Sequence, residues 1–155
     1  MAAGSKSRYL FEIVGTFIFV YAVCSAATVY SGPNKLLGIV GLPPLSMVEL
    51  GLVHAFVLTG LVYAINARSG AQLNPAVTIA FLVSRKMRGR ALTIACQVLG
   101  AVIGAAVVYS IFGSEMAASV SLPKDGDVTR ALILETVMTF TLVYVVLTTT
   151  TSKNK

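Results

Sequence analysis

Asn74 and Pro75 stand together at the head of a short apolar run, Pro75–Val83. Asn is favoured as an N-cap and Pro at the first helical position, so the pair marks a helix that begins at Asn74. The positive end of that helix dipole lies beside a side-chain amide that can both donate and accept. Three glutamates, Glu12, Glu49 and Glu135, lie inside longer apolar runs, as do His54 and Gln97. A charge in such a setting is costly unless it is partnered or functional. His54 on its own equally suits a packing histidine bonded to a neighbour. These residues can bond hydrogen and orient dipoles. The chain has no His/Cys/Asp cluster, no nucleophile–base pairing and no phosphate loop, so an enzyme is not expected. Cys24 and Cys96 sit in apolar runs and read as small hydrophobes, with no metal or cofactor implied.

The elements that must position these groups follow from composition. Of 155 residues, 56% are hydrophobic and 12% charged, with mean hydropathy +0.84. A soluble domain is about 45–50% apolar and about 25% charged. The chain therefore has too little polar surface for a soluble globule and reads as an all-α integral membrane protein in contact with the lipid bilayer. Four segments are long enough to span: Tyr9–Tyr30, Leu45–Ala67, Ala91–Phe112 and Ala131–Thr150. The Pro75–Val83 run, at about 1.5 Å per residue, reaches only about half of a ~30 Å hydrocarbon core. It is expected to be a re-entrant half-helix or an amphipathic surface helix. No cleavable signal is evident, because the first apolar run is long and carries Glu12.

The net charge of +6 would suggest nucleic acid in a soluble chain; here the basic residues fall between spans, where they set orientation. If the short run enters and leaves on one side, that side holds Lys6, Arg8, Arg68, Arg85, Lys86, Arg88, Arg90, Lys153 and Lys155. The other side holds only Lys35, Lys124 and Arg130, alongside Glu115, Asp125 and Asp127. This split predicts both termini in the cytoplasm and a re-entrant short run.

The run from Glu12 to Val23 and the run from Glu135 to Val146 share seven of twelve residues, among them the glutamate, a Thr-Phe pair and a Val-Tyr pair. With three spans per unit the copies cross in opposite senses, the pattern of an inverted repeat. The expected organisation is a first repeat over 1–112, an extracytoplasmic loop over 113–127, and the first helix of a second repeat with a polar tail over 128–155. The repeat is incomplete in these residues.

The stretch Ser69-Gly-Ala-Gln-Leu-Asn-Pro-Ala-Val-Thr78 resembles the signature of the major intrinsic proteins, the aquaporins and glycerol channels. Glu12-x-x-Gly-Thr-Phe, His54-Ala-Phe56 and Gln97-x-x-Gly100-Ala follow in the family's order. The run from Glu135 to Tyr144 is similar to tonoplast intrinsic proteins, so a vacuolar-type membrane fits the resemblance. The resemblance implies an aquaporin-like bundle of four spans and one half-helix. Asn74 would donate to a passing water, Pro75 and Ala76 would set the helix start, and the carbonyls of Gly70, Ala71 and Gln72 would accept. His54 would stand at the selectivity constriction, while Glu12 and Glu135, helped by Gln97, would support re-entrant loops. Gly100 and Gly104 form a small-xxx-small pattern that suits close helix packing.

The chain departs from the family in carrying Gln72 where His is usual and Arg68 where an apolar residue is common. It also lacks the fifth and sixth spans, a second Asn-Pro-Ala and the arginine after it. One copy of these residues is therefore not expected to enclose the family's pore. The resemblance leaves two readings. One is a channel for water or small neutral solutes, of which this is one half and part of the second, the rest coming from a longer gene product, a second chain or a second copy, as a homo- or hetero-oligomer or larger membrane complex. The other is a non-conducting structural subunit of a larger membrane complex. The first requires a polar half-helix opposite Asn74, and the second an apolar surface there.

Overall fold

The computed structural model describes residues 5–31, 47–87, 91–119 and 127–152. All regular structure among them is helical: α1 (Ser5–Ser31), α2 (Met47–Ser69), α3 (Pro75–Val83), α4 (Ala91–Phe112), a 3-10 helix (Gly113–Ser119) and α5 (Val128–Ser152). Four of these helices are long and apolar enough to cross a membrane, and α3 is the short piece between the second and third. Leu45 and seven of the charged residues in the orientation argument (Lys35, Arg88, Arg90, Lys124, Asp125, Lys153 and Lys155) lie outside the described residues.

Helix ends differ from the sequence reading where local capping intervenes. The last helix begins at Val128, three residues before the expected Ala131. Asp127 Oδ1 accepts from the Arg130 N–H at 3.0 Å, and Asp127 Oδ2 pairs with Arg130 Nε at 2.9 Å. A capping carboxylate thus recruits polar residues that hydropathy assigns to the loop. The 3-10 helix packs against α1 and occupies the first residues of the expected 113–127 loop. Helix α3 stops without Gly or Pro. Lys86 N–H reaches the Phe81 carbonyl at 3.1 Å and Arg85 N–H the Leu82 carbonyl at 3.1 Å, with Arg85 at φ 57°. This is a Schellman closure with arginine at the left-handed position.

Helix α1 lies against both α2 and α4, and α3 touches α4 and α5. The α1–α4 contact is the closest. A Cβ on Gly100 would strike the carbonyl oxygen of Ile13, and one on Gly104 would stand 2.8 Å from that of Phe17. The small-xxx-small pattern therefore allows backbone to approach backbone. Large apolar residues such as Phe56, Tyr63, Met138 and Phe140 face outward, as lipid-exposed helices require. Polar residues instead fill the interior: Glu12, Thr78, Gln97 and Thr93 are all at most 1% exposed.

The repeated sequence adopts a repeated local structure. Phe17 stacks on Tyr21 with centroids 6.2 Å apart, and Phe140 stacks on Tyr144 at 6.1 Å. Their surroundings differ. Glu12, Gly15 and Thr16 are buried in α1, whereas Glu135 and Met138 are exposed on α5.

Gly100→Ala should cost about 1–3 kcal/mol, because backbone must move to admit the methyl group. Gly60→Ala, with nothing within 4 Å of the new Cβ, should be neutral or slightly stabilising. Unfolding titrations in bicelles compare the two.

Candidate functional site

The site is built around a short stretch of irregular backbone. Between the end of α2 at Ser69 and the start of α3 at Pro75, Gly70, Ala71 and Leu73 have φ of 96°, 43° and 50°. Two of these are not glycine, so the left-handed conformation stores strain that neighbouring contacts must hold. Gly70 N–H donates to the Asn66 carbonyl at 2.9 Å, and Ala71 N–H to Ser69 Oγ at 2.9 Å. The next two amides turn to Glu12. Gln72 N–H donates to Oε1 at 3.2 Å and Leu73 N–H to Oε2 at 2.9 Å. Gln97 Nε2 adds a third bond to Oε2 at 2.9 Å. One buried carboxylate from α1 therefore serves two consecutive backbone donors and a side chain of α4.

The network continues through α3. Gln97 Nε2 also donates to Thr78 Oγ1 at 2.9 Å, and Thr78 Oγ1 lies 3.2 Å from the Asn74 carbonyl and 3.3 Å from Gln72 Oε1. Gln72 Nε2 donates to the Met87 sulfur at 3.2 Å. The side chain of Gln72 is thus committed to the interior, leaving only its backbone for other work. Sequence reasoning passed over Thr78 and Met87. The signal for Thr78 was its place one helical turn after Asn74, facing the same way. Met87 follows α3 beyond the turn and carried no signal.

Asn74 is the N-cap of α3, with φ −150° and ψ 125°. Its Oδ1 accepts from Ala76 N–H at 2.8 Å and from Val77 N–H at 3.4 Å. Among the described residues nothing accepts from Nδ2, so the amide donor stays available. Pro75 and Ala76 form the first turn behind it.

Asn74 borders a cavity of about 260 Å³, and Gly70, Ala71, Gln72 and Leu73 line the same space. No described group donates to the carbonyls of Gly70, Ala71 or Gln72. The N–H groups of the stretch are instead all bonded within the chain, to Asn66, Ser69 and Glu12. Leu58, Val62 and Asn66 of α2, Val77 and Phe81 of α3, and Val146 and Thr149 of α5 complete much of the lining. The space is mostly apolar, with Asn66, Gln72, Asn74, Thr149 and Thr150 among its polar lining residues.

His54 does not border this cavity. It lies one turn beyond Leu58, so His54, Leu58, Val62 and Asn66 form a stripe at four-residue spacing along α2. Its Nδ1 is 2.9 Å from the Leu50 carbonyl, which can only accept, so Nδ1 carries the proton. Its ring meets Phe19 edge-on at 6.3 Å. Glu135 lies apart from the re-entrant stretch, and no described residue donates to it.

The family model for the major intrinsic proteins matches residues 2–155. The chain belongs to the major intrinsic protein family. Its relatives include aquaporin NIP1-1 of Oryza sativa, 32% identical over 90% of this chain and 47% of the relative's length. Aquaporin NIP3-1 of Arabidopsis thaliana is 33% identical over 92% of this chain and 44% of its own. A probable TIP-type aquaporin of Medicago truncatula is 35% identical over 94% of this chain and 58% of its own. The chain spans about half the length of the curated relatives it matches.

Thr78→Val and Gln97→Leu should each destabilise by about 1–3 kcal/mol through the unpaired groups they leave. Their effects should not add. The double-mutant cycle should give a coupling of about 0.6–1.7 kcal/mol, the range of hydrogen bonds inside membrane bundles. Unfolding in bicelles supplies all four corners.

Proposed function

We propose that this chain forms part of the wall of a membrane channel for water or small neutral solutes. The observation that carries the reading is that Asn74, with an available Nδ2 donor, borders one cavity with Gly70, Ala71 and Gln72, to whose carbonyls no described group donates. A water molecule beside Asn74 receives a hydrogen bond on its oxygen and can donate to that carbonyl line. The N-terminal end of α3 is positive, which disfavours cations and protons at the same place. Membership of a family whose relatives are named aquaporins supports the same reading. The apolar remainder of the lining binds passing solute weakly, so polar molecules hold to one edge and move on.

Pro75 and Ala76 fix where the positive helix end stands. Glu12 and Gln97 support the re-entrant stretch, and Glu135 takes the corresponding role toward a second one. His54, farther along the α2 stripe, narrows the passage, its Nε2 being the ring nitrogen not used by Leu50. The wall opposite Asn74 is built by other residues, in the same polypeptide or in a partner chain. Residues 1–112 act as one repeat and 128–155 begin the next, joined by an extracytoplasmic loop, with both termini cytoplasmic. Likeness to TIP-type aquaporins supports a vacuolar-type membrane.

Substitutions at the two ends of the path separate charge from diameter. Asn74→Asp keeps the cap and the size but puts a carboxylate where the donor stood. In vesicles holding the assembled channel, cation leak should rise by roughly tenfold, the effect of a barrier lowered by about 1.4 kcal/mol. Water flow should fall by less. His54→Ala should admit larger neutral solutes such as glycerol while cation exclusion holds. Unchanged water, glycerol and cation fluxes in both variants would remove the channel reading.

A further inference from the structure

Two arginines at the end of the bundle where α1 begins and α2 finishes take no part in the cavity. Arg8 lies in the first turns of α1, three residues before Phe11, so the two side chains are neighbours on the helix surface. Arg68 comes from the last turn of α2, and its guanidinium carbon stands 5.1 Å from the centroid of the Phe11 ring. Arg68 thus stands over the Phe11 ring, and Arg8 lies one turn before Phe11 on the same helix face. Arg8 Nε is buried and has no hydrogen-bond partner among the described residues. Among the described residues no carboxylate pairs with either arginine. Glu12, next in sequence to Phe11, is turned inward to Gln72, Leu73 and Gln97. The Asp127 carboxylate is held by Arg130 at the start of α5, whose opposite end borders the cavity.

Arg8 Nε–H is closed off within the chain, so Arg8 contributes its charge at this end of the bundle while Arg68 offers the exposed donors. Stacking on Phe11 holds the plane of the exposed Arg68 side chain and leaves its N–H edge open. A planar fork of donors matches an oxyanion with several lone pairs, above all a phosphate. Depth decides which phosphate. Arg8 stands near the start of one apolar span, Lys6–Tyr30, and Arg68 near the end of another, Met47–Ser69. That is the level of lipid headgroups, and two cations with no carboxylate favour a headgroup with net negative charge.

We propose that Arg8, Arg68 and Phe11 form a binding site for the phosphate of an anionic phospholipid in the adjoining leaflet. The site is independent of the channel reading, because none of its residues borders the cavity.

Native mass spectrometry of the 155-residue chain in neutral detergent tests the proposal, with phosphatidylglycerol, phosphatidylcholine or inorganic phosphate added. Phosphatidylglycerol should bind at one preferred site, and phosphatidylcholine more weakly. Arg68→Leu and Arg8→Gln should each weaken phosphatidylglycerol by roughly fivefold, the share of one basic residue at an anionic surface. Arg130→Gln, which removes the same charge at the other end, should leave binding unchanged. Circular dichroism checks that each variant keeps its helix content, and the exposed Arg68 site carries the test if Arg8→Gln unfolds. Wild-type lipid affinity in a folded Arg68→Leu variant would overturn the proposal. Equal binding of the two lipids would also do so, as would displacement of the lipid by inorganic phosphate at equal concentration.

Discussion

Irregular backbone at membrane depth cannot be left to water, and in this chain one carboxylate meets that demand. Glu12 accepts from two successive amides of the re-entrant stretch and from Gln97. Each oxygen is used, and Oε2 is used twice. Without such acceptors, two N–H groups would be buried beside apolar helices at a cost of several kcal/mol. The same bonds hold Ala71 and Leu73 in the left-handed region, which neither side chain favours. With the last two amides of this stretch bonded to Glu12 and the first two to Asn66 and Ser69, no N–H between Ser69 and Asn74 is left without a partner. The conformation of the backbone beside the cavity thus depends on where one side chain on α1 sits.

That arrangement depends in turn on close helix packing. Gln97 reaches Glu12 only because α4 lies tightly on α1, and Gly100, three residues farther along, permits that approach. Thr78 carries the tie from α4 into α3, so the helix that presents Asn74 is fixed to the same interior network. At its other end α3 is tethered to α5, where Lys86 Nζ donates to the Leu147 carbonyl at 3.3 Å. Strain, packing and hydrogen bonding therefore converge on the placement of one amide. Gln72 illustrates the point: as a bridge between Thr78 and Met87 it works through its side chain, while its backbone serves Glu12.

Much of this was legible in the residues. Apolar run length set the four spans, Asn74-Pro75 marked the start of α3, and Gly100 and Gly104 marked the tight contact. Glu12 was conspicuous as a carboxylate in an apolar run, although its donors emerged only with the fold. The rest depended on tertiary structure. Nothing in a list of residues reveals that Ala71 and Leu73 adopt positive φ, since their types argue against it. Thr78 and Met87 are ordinary residues made important by what surrounds them. Asp127 extended α5 backward through a cap that hydropathy does not sense. His54 was singled out by resemblance, and its relation to the cavity, one turn beyond the lining, became visible only in three dimensions.

The dependence of the re-entrant stretch on Glu12 is measured most directly by hydrogen exchange at two backbone amides, Gln72 and Leu73, in lipid nanodiscs. In the wild-type chain both should exchange as slowly as amides within the spans. In Glu12→Gln, whose side chain offers one acceptor where the carboxylate offered two, at least one should exchange faster by about tenfold or more, corresponding to about 1.4 kcal/mol of lost protection. Exchange at Gln72 and Leu73 that is unchanged by the substitution, with the helices intact, would contradict the account.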